Sequence, residues 1–181
     1  MRCFRFDIVS DGMEIGVWGS DRSVHAVSLT KLVAFEMENK IARYFDVVET
    51  GNPGDPIAIS FENYFRNGIF DPLLMPKPLW GTEFQRKVWD ELSSLDRGET
   101  TTYGDLSKRI GKPGAARAVG GAVGANPIAI LVPCHRVLAA DGIGGFGGRI
   151  DIKRNLLQIE GIGYTKKETN NIEKQKILGG K

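Results

Sequence analysis

Cys134, His135 and Arg136 stand side by side at the end of the apolar run Ile128-Ala129-Ile130-Leu131-Val132-Pro133. The chain has two cysteines and two histidines, so this tripeptide uses half of each. A thiol is a nucleophile only as its thiolate, and a neighbouring imidazole can take the proton that the thiolate must lose. The competing reading is structural, because a cysteine inside an Ile/Val/Leu run more often packs as a small hydrophobe. If the segment is extended, Cys134 and His135 point to opposite faces. A direct bond between them is then awkward, and a bridging water or a bent backbone is expected instead. Glu160 falls in the last turn of an amphipathic stretch from Asp151 to Glu160, where the helix dipole disfavours a carboxylate. Either it is solvated there, or its charge is wanted by a partner. His135 is the natural partner, since a Glu–His pair makes the imidazole a better base.

A second group of residues suggests contact rather than reaction. Ala115, Ala116, Ala118, Gly120, Gly121 and Ala122 make one helix unusually small-sided, with Arg117 its only long side chain. Mid-helix glycine costs about 1 kcal/mol relative to alanine. Tight helix packing is one explanation, and close approach to a nucleic-acid groove with Arg117 inserted is the other. Gly142-Ile143-Gly144-Gly145-Phe146-Gly147 matches GxGxxG in form, but it neither follows a strand of a βαβ unit nor has the acidic ribose ligand downstream. It reads better as a pocket wall offering backbone N–H groups. Cys3, Cys134, His25 and His135 are all the soft ligands available, so no metal site is expected.

These side chains need a scaffold. Cys3 to Val9 alternates like a strand, Asp11-Gly12 marks a hairpin turn, Glu14 to Trp18 answers it, and Val24 to Leu29 suggests a third strand. Thr30 caps a helix carrying Leu32, Phe35, Ile41 and Phe45 at roughly helical spacing. Asn52-Pro53-Gly54-Asp55-Pro56 is a loop, and Asp71 to Pro78 is a proline-punctuated connector where a domain boundary is expected. Beyond it, Thr82-Glu83-Phe84-Gln85 is a capping box opening a helix with Phe84, Val88 and Leu92 inward. A helix from Thr102-Tyr103 ends at Gly111, and Lys112-Pro113-Gly114 turns into the small-sided helix, which ends near Asn126-Pro127. Two short helices on a tight Gly/Pro turn make a helix-turn-helix candidate. The organisation expected is an α/β domain over 1–78, a mainly α domain over 79–164 and a mobile polar tail over 165–181.

Composition sets limits on the chemistry. At 181 residues, 41% hydrophobic and 25% charged, the chain is of ordinary globular character. No apolar run approaches the roughly 20 residues of a membrane span, and Met1-Arg2-Cys3-Phe4-Arg5 lacks a signal-peptide core, so a cytoplasmic protein with free thiols is expected. Acidic residues outnumber basic ones up to Gly81, and the balance reverses afterwards. Between Thr102 and Leu157 there are 8 Lys/Arg against 3 Asp/Glu, an excess that points to a polyanionic partner.

Taken together, the residues from Gly81 to Gly161 resemble the O6-alkylguanine-DNA alkyltransferases, also called methylated-DNA–protein-cysteine methyltransferases. The likeness rests on Phe84-Gln85 with Val88-Trp89, Thr102-Tyr103-Gly104-Asp105-Leu106, Ala115 to Ala122, Asn126-Pro127, Val132-Pro133-Cys134-His135-Arg136-Val137, and Lys153 through Glu160-Gly161. The first half resembles the family's ribonuclease-H-like N-terminal domain in general layout only. The resemblance implies an α/β N-terminal domain, and a mainly α C-terminal domain with a winged-helix-like helix-turn-helix. It implies irreversible, single-turnover transfer of an alkyl group from O6-alkylguanine, and from O4-alkylthymine, in duplex DNA. Cys134 would be the acceptor, with His135, Glu160 and a water as its relay. Tyr103 would expel the nucleotide and protonate the departing guanine, and Asn126 would tie the recognition helix to the active-site segment. Arg117 would fill the base stack, with Tyr103, Ala115, Ala116, Gly120 and Arg136 also at the DNA. Val123, Val137, Gly144, Gly145, Phe146, Gly147 and Gly148 would line the pocket. No cofactor, metal or membrane is implied, and a monomer is expected. Phe146-Gly147 replaces the Tyr-Ser of many relatives, which smooths the pocket. Some relatives hold a structural zinc, for which Cys3 and His25 alone are insufficient.

Three other classes remain to be separated from this one. A recognition module would bind alkylated bases without reacting, a helix-turn-helix regulator would read a defined sequence, and a thiol hydrolase would turn over repeatedly.

Overall fold

Why the N-terminal half forms a sheet is visible in its side-chain alternation. In the computed structural model, which describes residues 2–10, 12–147 and 149–163, β1 (Arg2–Ser10) and β2 (Met13–Ser20) pair antiparallel with Phe6 opposite Val17 and Ile8 opposite Ile15. β3 (Ser23–Ser28) continues the meander, and β4 (Val47–Thr50) and β5 (Met75–Pro76) add parallel edges to give the order β4-β1-β2-β3-β5. Each face of this sheet has its own helix. α1 (Lys31–Ile41), capped by Thr30, covers Cys3, Trp18 and Ala26 with Ala34 and Ile41. α2 (Pro56–Asn67) covers Phe6, Ile8, Ile15 and Val17 with Ile57 and Phe61. With both faces covered, β2 and β3 bury all their apolar side chains, each large one contributing about 1.5–3 kcal/mol by leaving water.

Two expectations need correction here. Leu32 and Phe35 lie outward on α1, at 75% and 68% exposure, while Ala34 and Ile41 are the buried positions. Helical spacing identified the helix and the buried Ile41 and Phe45, but at Leu32 and Phe35 it chose the wrong face, where the sheet accepts the small Ala34 instead. The second concerns α2, which the loop reading of Asn52 to Pro56 did not anticipate. Its start is encoded there all the same: Asp55 accepts a hydrogen bond from the Ile57 N–H, and Pro56 occupies the first turn.

After the connector, α3 (Glu83–Ser93) begins with the expected capping box, in which Thr82 and Gln85 satisfy each other's backbone N–H groups. α4 (Tyr103–Arg109) and α5 (Ala116–Gly124) follow as a pair joined by the turn 110–115, with Gly111 and Gly114 at positive φ. α6 (Ile150–Ile159) closes the described chain. A two-stranded parallel ladder, β6 (Thr101–Thr102) with β7 (Val137–Leu138), links the start of α4 to the segment after Cys134.

The two halves share one large apolar cluster that includes Phe61 and Tyr64 of α2, Val88 and Leu92 of α3, and Leu156 of α6. Backbone bonds join them as well. Val27 of β3 donates to the Pro127 carbonyl at 2.7 Å, so the approach to Cys134 is pinned to the sheet edge. The tail over 165–181, Asp11 of the hairpin turn and Gly148 lie outside the described residues.

Candidate active site

The cysteine sits on a bent backbone. Ala129 to Val132 forms a tight turn in which Ile130 has φ 75°, a conformation strained for a β-branched residue. Asn126 braces this turn from both ends: its Nδ2 donates to the Val132 carbonyl at 2.9 Å, and its Oδ1 accepts from the Ile128 N–H at 2.9 Å. Cys134 to Arg136 then make a single 3-10 turn. The segment is therefore bent, not extended, at Cys134 and His135.

Cys134 is 7% exposed, at the floor of a cleft of about 730 Å³. Tyr103, Gly120, Val123, Asn126, Gly145, Phe146 and Gly147 line the same cleft, and so do Leu29, Leu32 and Val33 from the N-terminal half. Burial raises the thiol's pKa. The Asn126 amide, the Lys153 charge and the Ile130 backbone act in the opposite direction. Tyr103 is half-buried beside it, and its hydroxyl is likewise raised by burial and by proximity to the sulfur.

Behind the cysteine lies a dry, charged cluster. His135 Nε2 and Glu160 Oε1 are 2.8 Å apart, and both side chains are fully buried. Arg136 grips the same carboxylate with two bonds, Nε to Oε2 at 2.7 Å and Nη2 to Oε1 at 3.0 Å. Its Nη1 donates to the carbonyls of Leu95 and Asp96. Burial alone would raise the Glu160 pKa, but bonds and charge from His135 and Arg136 reverse this and hold it at about 2. An ionised Glu160 can only accept, so Nε2 of His135 carries the proton. Burial also lowers the His135 pKa, so its Nδ1 keeps a free lone pair. That Nδ1 is buried and has no hydrogen-bond partner among the described residues.

Two participants escaped the sequence reading. Tyr64 of α2 donates its hydroxyl to Glu160 Oε1 at 2.8 Å. Lys153 of α6 is wholly buried, with Nζ donating to the Val137 carbonyl at 2.6 Å and more distantly to Gly145 at 3.4 Å. Burial brings the Lys153 pKa down to about 8. Its signal was a lysine on the inward face of an amphipathic helix, between Ile152 and Leu156, which is a costly position unless the charge is used. Tyr64 gave no such signal.

Other predicted site residues fall elsewhere. Arg136 is not at a DNA-facing surface: its guanidinium is buried and committed to Glu160 and two carbonyls. Val137 is a core side chain absent from the cleft wall, and its carbonyl accepts from Lys153. Gly144 turns the loop at φ 75° against the Ala139 backbone and does not line the cleft. Ala115 and Ala116 begin α5 outside the cleft, half-buried. Arg117 follows them, exposed, and has no ion-pair or hydrogen-bond partner among the described residues. Among those residues no group of three or more His, Cys, Asp or Glu could hold a metal, and no helix is long and apolar enough to cross a membrane.

A buried cysteine followed by a buried His–Glu pair, on a cleft that the paired helices help to line, is an arrangement suited to a cysteine nucleophile. Comparison with known proteins is more specific. The family model "6-O-methylguanine DNA methyltransferase, DNA binding domain" matches residues 83–162. A methylated-DNA–protein-cysteine methyltransferase of Mycobacterium leprae is 39% identical over 137 residues, covering 75% of this chain and 82% of its own. The Haemophilus influenzae protein of that name is 47% identical over 116 residues, 64% of this chain and 65% of its own length, so this match spans just under two thirds of that relative. The crystal structure of Mycobacterium tuberculosis O6-methylguanine methyltransferase superposes with a TM-score of 0.71 at 32% identity, covering 91% of this chain and 96% of that one. The chain belongs to the methylated-DNA–protein-cysteine methyltransferase family.

Proposed function

We propose that this protein repairs DNA by moving the alkyl group of O6-alkylguanine, or of O4-alkylthymine, from the duplex to its own Cys134, once per molecule. The observation that carries the reading is the orphaned Nδ1 of His135, next in sequence to a buried thiol and backed by an ionised Glu160. At rest both partners are neutral: burial raises the thiol and lowers the imidazole. A water between Sγ and Nδ1 would carry the thiol proton to His135, producing a thiolate–imidazolium pair that Glu160 stabilises. Lys153 and the Asn126 amide favour the sulfur's negative charge. The thiolate attacks the alkyl carbon, the S–C bond forms as the C–O6 bond breaks, and the electron pair leaves on guanine. Tyr103 supplies the proton that makes the base a neutral leaving group. The thioether is stable, and no neighbouring group is suited to cleave it.

The alkylated edge of guanine is inside the base stack, so the nucleotide must rotate out at a cost of a few kcal/mol. Arg117, exposed and without a partner among the described residues at the start of α5, is suited to occupy the gap. The small residues of α5 let its backbone approach the duplex. A related protein, Mycobacterium tuberculosis OGT, has been crystallised in complex with DNA, at TM-score 0.70 and 34% identity over 87% of this chain. In this reading the chain is a monomer, with a ribonuclease-H-like domain over 1–78 and a winged-helix-like DNA-binding domain over 79–164. The test is restoration of guanine in a duplex with one O6-methylguanine. One equivalent per protein, and none with Cys134→Ala, is expected. Restored guanine severalfold above protein, or persistence in the variant, would reject the reading.

A further inference from the structure

Glu160 Oε1 receives three donors: His135 Nε2 at 2.8 Å, Arg136 Nη2 at 3.0 Å and the Tyr64 hydroxyl at 2.8 Å. The first two come from the active-site turn. The third comes from α2, ninety-six residues away in sequence, on the helix that supports the opposite half of the molecule. Its ring is held independently of the hydroxyl, stacked on Phe70 at 4.5 Å and 15° and edge-on to Phe65. Arg97 fastens the same junction by donating to the carbonyls of Asn67 and Ile159, at the ends of α2 and α6.

From this geometry we propose that Tyr64 is a positioning residue of the proton relay. Its hydroxyl takes a share of the one Glu160 oxygen that faces His135, and so limits how firmly the imidazole can hold a proton. A residue of the N-terminal half thereby tunes the operating pH of the cysteine. This inference rests on the relay described under Proposed function.

The sign follows from who faces whom. His135 meets Glu160, which favours the imidazolium, while Arg136 and Lys153 disfavour it. Cys134 precedes it on the same 3-10 turn. Arg97 acts on Tyr64 from the loop after α3. Removing the Tyr64 hydroxyl leaves all of these in place and concentrates the carboxylate's charge on His135. The imidazole then stays protonated to a higher pH. It can accept the thiol proton only when neutral, so the acid limb of Cys134 reactivity moves upward.

The test is Tyr64→Phe, which keeps the ring stack. Two rates are followed against pH: alkylation of Cys134 by iodoacetamide without DNA, read on the Cys134 peptide, and methyl transfer from O6-methylguanine duplex. An upward move of both acid limbs by about half to one pH unit is expected from the loss of one neutral hydrogen bond to the carboxylate. Phe70→Leu, which disturbs the same cluster without touching the hydroxyl, is expected to lower the unfolding midpoint and leave the limb in place. An unmoved limb in Tyr64→Phe, a downward move, or an equal move in Phe70→Leu would each overturn the proposal. If the parent protein transfers no methyl while the iodoacetamide limb still moves, the alkyl-transfer reading fails and the role of Tyr64 stands.

Discussion

Glu160 and Arg117, both expected from the sequence to serve Cys134, are treated in opposite ways. The carboxylate is buried and saturated with donors from His135, Arg136 and Tyr64, in a place where any unmet charge would be expensive. The guanidinium of Arg117 stands in solvent on a helix stripped of bulky neighbours, with no partner among the described residues. One side is completed by the fold itself, and the other presents its charge to solvent, as the proposed duplex contact requires. Stability and reactivity are thus coupled behind the cysteine and separated in front of it.

The sharpest way to break that contrast is to unbalance the buried side. Glu160→Gln strands the Arg136 charge in a dry site, so a loss of about 3–5 kcal/mol in urea unfolding is expected. Methyl transfer should slow on the order of 10²–10⁴-fold as the relay loses its anchor. If the variant unfolds like the parent, the cluster is not the buried ion pair described. Acid is a milder probe of the same group. In the folded protein the pKa of Glu160 is held down to about 2, below the ordinary carboxylate value of 4.5. Its contribution is therefore complete above pH ~4.5 and disappears as pH falls toward 2, by roughly 3 kcal/mol in total. Urea midpoints taken from pH 5 to pH 2.5 should show this slope, and Glu160→Gln should flatten it.

On the exposed side the expected effects are smaller and spare the thiol. Arg117→Ala should slow transfer from duplex DNA by about tenfold, the price of an unfilled stack. The iodoacetamide rate at Cys134 should be unchanged, and a fall in that rate would place Arg117 in the relay's chemistry instead. Gly121 offers the finest test. A Cβ there meets nothing within 4 Å, so Gly121→Ala should raise stability by about 1 kcal/mol. If the small face of α5 exists for duplex approach, the same change should weaken binding in a salt-dependent titration. Gain of stability with unaltered binding would mean that the face serves packing only.

What could be read from the chain beforehand divides along the same line. Cys134, His135 and Glu160 were legible because their types are improbable where they stand: a thiol beside an imidazole, and a carboxylate at a helix C-terminus. The capping box at Thr82 and the glycine stops at Gly111 and Gly161 act over three or four residues, so sequence contains them whole. Arg136 was misassigned to the DNA because a basic residue in a basic segment looks solvent-facing, and its true partners, Glu160 and the Leu95 carbonyl, are 24 and 41 positions away. Tyr64 was illegible for the same reason at greater range. Leu32 and Phe35 misled because both are large apolar residues on the outward side of α1, Leu32 at the edge of the cleft. Long-range pairing, rather than local pattern, supplied what sequence could not.

The most direct test of the account is intact mass and peptide mapping after mixing the protein with a tenfold excess of O6-methylguanine duplex. The account predicts one methyl group per molecule, on the Cys134 peptide and not on that of Cys3, with no further gain as time or DNA increases. An unmodified Cys134, a methyl on another residue, or lesion loss that continues beyond one equivalent would contradict it.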